Sequence, residues 1–338
     1  MLRCLELAAK GLGEVAPNPM VGCVIVLDGA IIAEGYHEVY GGPHAEPNAI
    51  SKADAALLQK ATLYVNLEPC SHHGKTPPCA DLIISKGIGK VVIGNLDPNP
   101  LVAGKGIQKL KDAGIEVVQG VLDKECKELN KRFFTFHEKK RPYIILKWAQ
   151  TNDGFISQWP IPETKEDNWI TGVKSKELVH QWRSQEQAIL IGYNTLVNDN
   201  PFLTTRLANG KNPIRLLMTR QLEFPENLNL FNEDAETIVF NSVKDESDEH
   251  ITFVKIDWNN KVKEILAICY EQAISSIIIE GGTNTIYNFM NSDLWDEARV
   301  FVNPEKHFGN GITAPDINLD LSAPQLIGKD LLYTLINY

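Results

Sequence analysis

His44-Ala45-Glu46, Pro69-Cys70 and Pro78-Cys79 are the residues on which the reading of this chain turns. One imidazole and two thiols form a ligand set that suits zinc and leaves the fourth corner of its tetrahedron open. An open corner marks a catalytic rather than a structural zinc, whose bound water can fall to a pKa of about 7. Glu46 follows His44 by two residues at a helix start, close enough to exchange protons with that water without ligating. Taken singly, each residue also fits a plain role, a buried cysteine or a histidine at a helix cap. Together, at this spacing, they read as a metal site. Residues 71–78 separate Cys70 from Cys79, so that segment loops over the site and returns. Within it, His72 and His73 either line the pocket or face solvent.

Around the motif, strands alternate with helices. Residues 21–27 and 31–35 read as a hairpin joined at Asp28-Gly29, a favoured two-residue turn. Helices are expected over 45–59, 80–86, 106–113 and 124–137, and strands over 61–67, 90–94 and 115–119. That alternation implies an α/β sheet covered on both faces. The charged segment Glu138-Lys139-Lys140-Arg141-Pro142 places a domain boundary between 1–140 and 141–338. Beyond it, strands are expected at 143–147, 188–192, 214–219, 237–241, 252–256, 276–280 and 299–303. Helices are expected at 174–186, 261–272 and 284–290, and the acidic run Asp245-Glu246-Ser247-Asp248-Glu249 reads as a solvated loop. There is no internal repeat or low-complexity tract.

Composition agrees with two soluble α/β domains. A chain of 338 residues, 43% hydrophobic and 22% charged, is globular and excludes disorder, collagen and coiled coil. Apolar runs such as Cys23-Val24-Ile25-Val26-Leu27 fall short of the roughly 18–20 residues of a membrane span. The net charge of −10 disfavours nucleic acid and anionic membranes as partners. All of it lies in 141–338, with 17 basic and 27 acidic residues, while 1–140 balances 16 against 16. Six cysteines are few and irregular for a disulfide scaffold, and Glu6 is an acid too early for a secretory signal. The expected compartment is therefore reducing and cytoplasmic.

The metal motif, the loop Pro69–Cys79 and the segment Asp97-Pro98-Asn99-Pro100-Leu101-Val102-Ala103-Gly104 resemble the bifunctional riboflavin-biosynthesis deaminase/reductase family. His-x-Glu followed by Pro-Cys and a second cysteine is the zinc-deaminase arrangement, with the glutamate as general acid and base. The long Cys–Cys loop separates this family from cytidine and tRNA-adenosine deaminases. The resemblance covers nearly the whole chain. It implies a cytidine-deaminase-like three-layer α/β/α domain and a dihydrofolate-reductase-like α/β domain. It also implies hydrolysis of the 2-amino group of 2,5-diamino-6-(5-phosphoribosylamino)pyrimidin-4-one, then NADPH reduction of the ribosyl group to ribityl. Pro47 departs from the family's aliphatic residue, harmlessly in a helix's first turn. The chain also begins within the expected first helix, which implies that a few residues are missing.

By the same resemblance, Glu46 is catalytic, His44, Cys70 and Cys79 hold zinc, and Asn18, His37, Lys75, Thr76, Asp97 and Asn99 contact the deaminase substrate. Asn18 between two prolines and Lys75 in its loop also admit purely structural readings.

In the second half no Gly-x-Gly-x-x-Gly occurs. Ile277-Ile278-Ile279-Glu280-Gly281-Gly282-Thr283-Asn284 reads as strand, glycine pair and helix start, where backbone amides can approach a phosphate. The resemblance assigns Ala149, Trp169, Thr195, Asp199, Gly282, Thr283, Asn284, Thr285, Ile286, Tyr287 and Asn288 to NADPH. It assigns Asp167, Arg183, Leu203, Arg206 and Glu280 to the reductase substrate. Two arginines suit a phosphomonoester, although salt bridges would use them equally well. Met218-Thr219-Arg220 departs from the family's Ile-Asp-Ser/Thr, and Arg220 either meets the cofactor's 2′-phosphate or replaces a lost hydrogen bond. Two other functions stay open at this point. One is a deaminase with a non-catalytic reductase-like domain. The other is a nucleic-acid base deaminase, which should have a shorter metal loop and a basic strand-binding face. Homo-oligomerisation is likewise open.

Overall fold

Gly22–Leu27 (β1) turns back into Ala30–Tyr36 (β2) through Asp28 and Gly29, at φ of 48° and 81°. Two successive left-handed residues are what a tight hairpin turn of this twist requires. The structure is a computed structural model that describes residues 1–71, 77–100, 102–162, 164–317 and 324–337. By internal contacts it divides into two units, Met1–Lys140 and Arg141–Tyr338.

In the first unit, Thr62–Leu67 (β3), Lys90–Asn95 (β4) and Glu116–Val118 (β5) extend the hairpin to a sheet of order β2-β1-β3-β4-β5. The β1 contacts are antiparallel, whereas β3, β4 and β5 run parallel. Strand side chains alternate between faces, and helices cover both. On one face Ile25, Leu63, Val91 and Ile93 pack with Ala45–Ile50 (α2), Ala55–Leu58 (α3), Cys79–Ser85 (α4) and Lys105–Asp112 (α5). On the other, Val24 meets Cys4 and Leu7 of the helix Leu2–Ala8; at the end of β3, Leu67 meets Phe133 and Phe134 of the helix Lys131–Lys139.

Two expected helices are each broken in two. The expected helix over 45–59 stops at Ile50 and restarts after Asp54, whose carboxylate accepts the Ala56 N–H at 3.0 Å as a new N-cap. The expected helix over 124–137 breaks between Leu129 and Lys131 at Asn130. The Asn130 side chain accepts the Met20 N–H at 2.8 Å and donates to the Met20 carbonyl at 2.9 Å.

The second unit is built on a sheet whose middle is parallel. Thr237–Asn241, Ile214–Met218, Ala188–Gly192, Ser276–Ile279 and Tyr143–Thr151 (β6) lie side by side in one direction. Ile251–Lys255 and Glu297–Asn303 extend the parallel run at its two ends. Asp330–Ile336 and Gln325–Ile327 add an antiparallel edge that the sequence reading lacked. The acidic run also departs from a plain loop: Glu246–Ser247 pairs antiparallel with Ile251–Lys255, though it stays exposed.

The central strands are buried on both sides, which explains their continuous apolar runs. Ile144, Leu146 and Trp148 of β6 join one core with Ile265 of the helix Lys261–Glu271 and Phe289 of the helix Thr283–Asn291 (α12). Tyr143 and Ile145 join the other with Val179 and Trp182 of Val173–Gln185 (α9) and Leu196 of Tyr193–Asp199. Parallel strands present their C-terminal ends as a natural crevice for ligands.

Candidate active sites

In the first unit three elements deliver one donor each. His44 precedes α2, Cys70 follows β3, and Cys79 opens α4. Position 35 must be glycine for α2 to reach its place, because a Cβ there would lie 2.5 Å from the Ala49 nitrogen. The His44, Cys70 and Cys79 donor atoms lie within 4.8 Å of one another. His44 Nδ1 is 3.6 Å from Cys70 Sγ and 3.4 Å from Cys79 Sγ. Tetrahedral zinc with bonds of about 2.0 Å to nitrogen and 2.3 Å to sulfur spans N···S edges of roughly 3.5 Å. The donor set and its spacing therefore fit zinc. Hydrogen bonding from Cys79 pulls the Cys70 thiol down, toward the thiolate a metal requires.

Glu46, in the first turn of α2, is 3% exposed, and burial, then the neighbouring Cys70, pushes its carboxyl up to about 7. A carboxyl poised there can both take and return a proton near neutral pH.

His37 stands edge-on to His44, with ring centroids 5.3 Å apart. Its Nδ1 hydrogen bonds to the Pro43 carbonyl at 2.9 Å, so Nδ1 carries the proton. His37 Nε2 then accepts from Asn18 Nδ2 at 3.1 Å, leaving Asn18 Oδ1 as an acceptor. Burial lowers the His37 pKa and keeps the ring neutral. Lys75, Thr76, His72 and His73 lie outside the described residues.

Asp97 and Asn99 sit on the loop after β4, with the Asn99 N–H bonded to Asp97 Oδ1 at 2.8 Å. That loop is held by a residue the sequence reading missed. Glu68 Oε2 accepts the N–H groups of Asp97 and Gly104 at 3.3 and 2.9 Å. Its Oε1 accepts those of Gly106 and Ile107 at 2.9 and 3.1 Å. One buried carboxylate thus caps α5 and fixes the loop two residues before a metal ligand. Its only sequence signal is an acid placed directly before Pro69-Cys70.

In the second unit a cavity of about 920 Å³ opens at the strand ends. Ala149, Trp169, Thr195, Asp199, Gly282, Thr283, Asn284, Thr285, Ile286 and Asn288 line it, as do Arg183, Leu203, Arg206 and Glu280. Tyr287 and Asp167 are not among the lining residues. The Tyr287 hydroxyl accepts the Asp316 N–H at 2.9 Å, and the Asp167 carboxylate accepts the Thr164 hydroxyl at 2.6 Å. Arg220 is exposed and also does not line the cavity; its carbonyl accepts the Ser242 hydroxyl.

The glycine pair has a geometric reason at each position. A Cβ on Gly281 would meet Ile191 Cα at 2.8 Å, and Gly282 adopts φ 57° immediately before α12. At the cavity floor Glu280 pairs with Arg183 at 2.8 Å and with Lys147 at 4.0 Å. Burial works to raise its carboxyl, but Arg183 and Lys147 outweigh burial and hold it at about 2.

Fold and site together define a zinc deaminase joined in one chain to a reductase with a dinucleotide-sized cavity. The cytidine and deoxycytidylate deaminase zinc-binding region matches residues 1–95, and the RibD C-terminal domain matches residues 142–322. Riboflavin biosynthesis protein RibD of Actinobacillus pleuropneumoniae is 40% identical over 98% of this chain and 93% of its own length. That of Aquifex aeolicus is 42% identical over 94% and 90%. A solved diaminohydroxyphosphoribosylaminopyrimidine deaminase/5-amino-6-(5-phosphoribosylamino)uracil reductase from Thermotoga maritima is 41% identical, with a TM-score of 0.88 over 100% of this chain and 97% of that one. The chain belongs to the RibD family of bifunctional riboflavin-biosynthesis enzymes. It is a deaminase and a reductase, with zinc and NADPH as cofactors. Neither alternative, a non-catalytic second domain or a nucleic-acid base deaminase, is favoured by a family match along the whole chain. No helix among the described residues is long and apolar enough to cross a membrane.

Proposed function

We propose that residues 1–140 deaminate 2,5-diamino-6-(5-phosphoribosylamino)pyrimidin-4-one and that residues 141–338 reduce the product's ribosyl group to ribityl. The observation that carries the first half is the convergence of His44, Cys70 and Cys79 within 4.8 Å beside the buried Glu46. Zinc held by these three residues supplies Lewis acidity and an activated water at neutral pH. Glu46 does the proton work: its carboxylate accepts one proton and returns it to the exocyclic amine, which leaves as ammonia. Asn18, oriented by its bond to His37, offers Oδ1 to the pyrimidine edge. Asp97 and Asn99 contact the substrate from a loop fixed by Glu68, and Lys75 and Thr76 join them by resemblance alone.

In the second half, Ala149, Trp169, Thr195, Asp199 and the turn starting at Gly282 hold NADPH, which supplies hydride to the opened sugar. Arg183, Leu203, Arg206 and Glu280 hold the substrate. Glu280 acts there as an anion that orients Arg183 and Lys147. We place the enzyme in a reducing cytoplasm, which suits ligand thiols that must stay unoxidised. We keep its partners to small molecules, with the acidic second half opposing polyanions. Given the diaminopyrimidinone, zinc and NADPH, the full chain should release one ammonia for each NADPH oxidised. Ammonia without NADPH oxidation would leave 141–338 as an inert appendage and contradict the second assignment.

A further inference from the structure

Three basic residues of α9 line the cavity at helical spacing: Lys176, His180 and Arg183. His180 has no role in the scheme above, yet it is 2% exposed and makes a specific bond. Its Nδ1 accepts the Arg206 backbone N–H at 3.1 Å. A nitrogen that accepts carries no proton, so a neutral ring must carry its proton on Nε2. Burial first, then the charges of Arg183 and Arg206, with Lys176 adding and Glu280 opposing, push the ring down to about 4. The loop holding Arg206 is tied to α9 a second time, since Arg183 donates to the Thr204 carbonyl at 3.4 Å. The Arg206 guanidinium in turn stacks over Phe202, 4.5 Å from the ring centroid.

We propose that His180 completes the anion subsite of the reductase: Nε2–H donates to an oxygen of the substrate's phosphomonoester while Nδ1 fixes the backbone of Arg206. This rests on the reading that Arg183 and Arg206 receive that phosphate. A neutral donor suits the position because another cation among Lys176, Arg183 and Arg206 would be repelled before substrate arrives. A phosphomonoester offers three acceptor oxygens, enough for two guanidinium groups and one imidazole.

The two nitrogens can be tested apart. Asparagine places its Oδ1 near Nδ1, so His180→Asn keeps the acceptor for Arg206 and loses the Nε2–H donor. Glutamine places its amide near Nε2, so His180→Gln keeps a donor and loses the anchor. With 5-amino-6-(5-phosphoribosylamino)uracil, His180→Asn should raise KM roughly tenfold or more, the effect of one hydrogen bond to a charged group. kcat, the NADPH Kd and ammonia release should stay at the parental level. His180→Gln should be milder in KM. The dephosphorylated substrate should show no difference between parent and His180→Asn. Arg206→Ala separates the two layers of the argument. If Arg206→Ala discriminates phosphorylated from dephosphorylated substrate and His180→Asn does not, the role of His180 is overturned while the phosphate reading survives. If neither discriminates, the phosphate reading itself fails.

Nitrogen-15 NMR of the parental full chain requires no variant to fold. It should show the Nε2–H tautomer for His180 at pH 7, with Nε2 shifting on addition of ribose 5-phosphate. An Nδ1–H tautomer, or no shift, would overturn the proposal.

Discussion

The two sites are built on opposite plans. The metal centre uses three donors from three element ends, within 4.8 Å, and one carboxylate beside them. The reductase cavity of about 920 Å³ is assembled from the ends of several parallel strands, three helices and the loop around residues 200–206. Metal ligation restricts residue type severely, because few side chains can hold zinc. Enclosing a dinucleotide restricts shape and backbone approach instead, and many side chains satisfy that. A substitution should therefore act all-or-none in the first site and by degrees in the second.

The largest effect sharpens that contrast. Cys79→Ala removes one of three ligands, so zinc content by atomic absorption should fall to near zero and ammonia release to background. NADPH oxidation with pre-deaminated substrate should persist. Retained zinc with full ammonia release would break the comparison.

A graded response is expected from Gly281→Ala. Its Cβ would press on the Ile191 and Gly192 backbone at 2.8 and 3.0 Å. Overpacking of this kind typically costs about 1–3 kcal/mol, and fluorescence titration should find NADPH bound roughly tenfold more weakly, with ammonia release intact.

Glu68→Gln tests whether the first site has graded parts of its own. Glutamine keeps one acceptor oxygen and turns an NH2 toward two backbone N–H groups that Glu68 now satisfies. KM for deamination should rise a few-fold with zinc retained. An unchanged KM would mean the loop of Asp97 and Asn99 is held by other contacts.

The last effect is on stability rather than on activity. His180 titrates at about 4 in the folded chain against an ordinary 6.5. The unfolded chain thus binds a proton in that window that the folded chain refuses. Stability is whole above pH 6.5 and declines as pH falls toward 4. Denaturant titrations at a series of pH values should show this slope flattened in His180→Asn, and an equal slope would contradict it.

The same contrast explains what could be read in the sequence. The hairpin at Asp28-Gly29 and the alternation of strands and helices follow from local turn chemistry and hydrophobic period. The break at Asp54 is a local cap on Ala56 that the helical period over 45–59 hides. The helix break at Asn130 is not local, since Asn130 is fixed by Met20, 110 residues away. Glu68 was invisible for a related reason: its partners lie 29 to 39 residues further along. In sequence the segment 282–288 reads as one block, but a helix shows only one face, and Tyr287 turns from the cavity to bond Asp316. The antiparallel edge near the C-terminus carried too short and mixed a pattern to declare itself, as the interrupted burial of Asp330–Ile336 reflects.

One chain thus carries two chemistries with separate residues. Following ammonia and NADPH together in Glu46→Gln tests it most directly. Ammonia release should fall by roughly 10²–10⁴, with zinc retained and NADPH oxidation of pre-deaminated substrate at the parental rate. Ammonia release surviving in that variant, or both signals failing together in a folded protein, would contradict it.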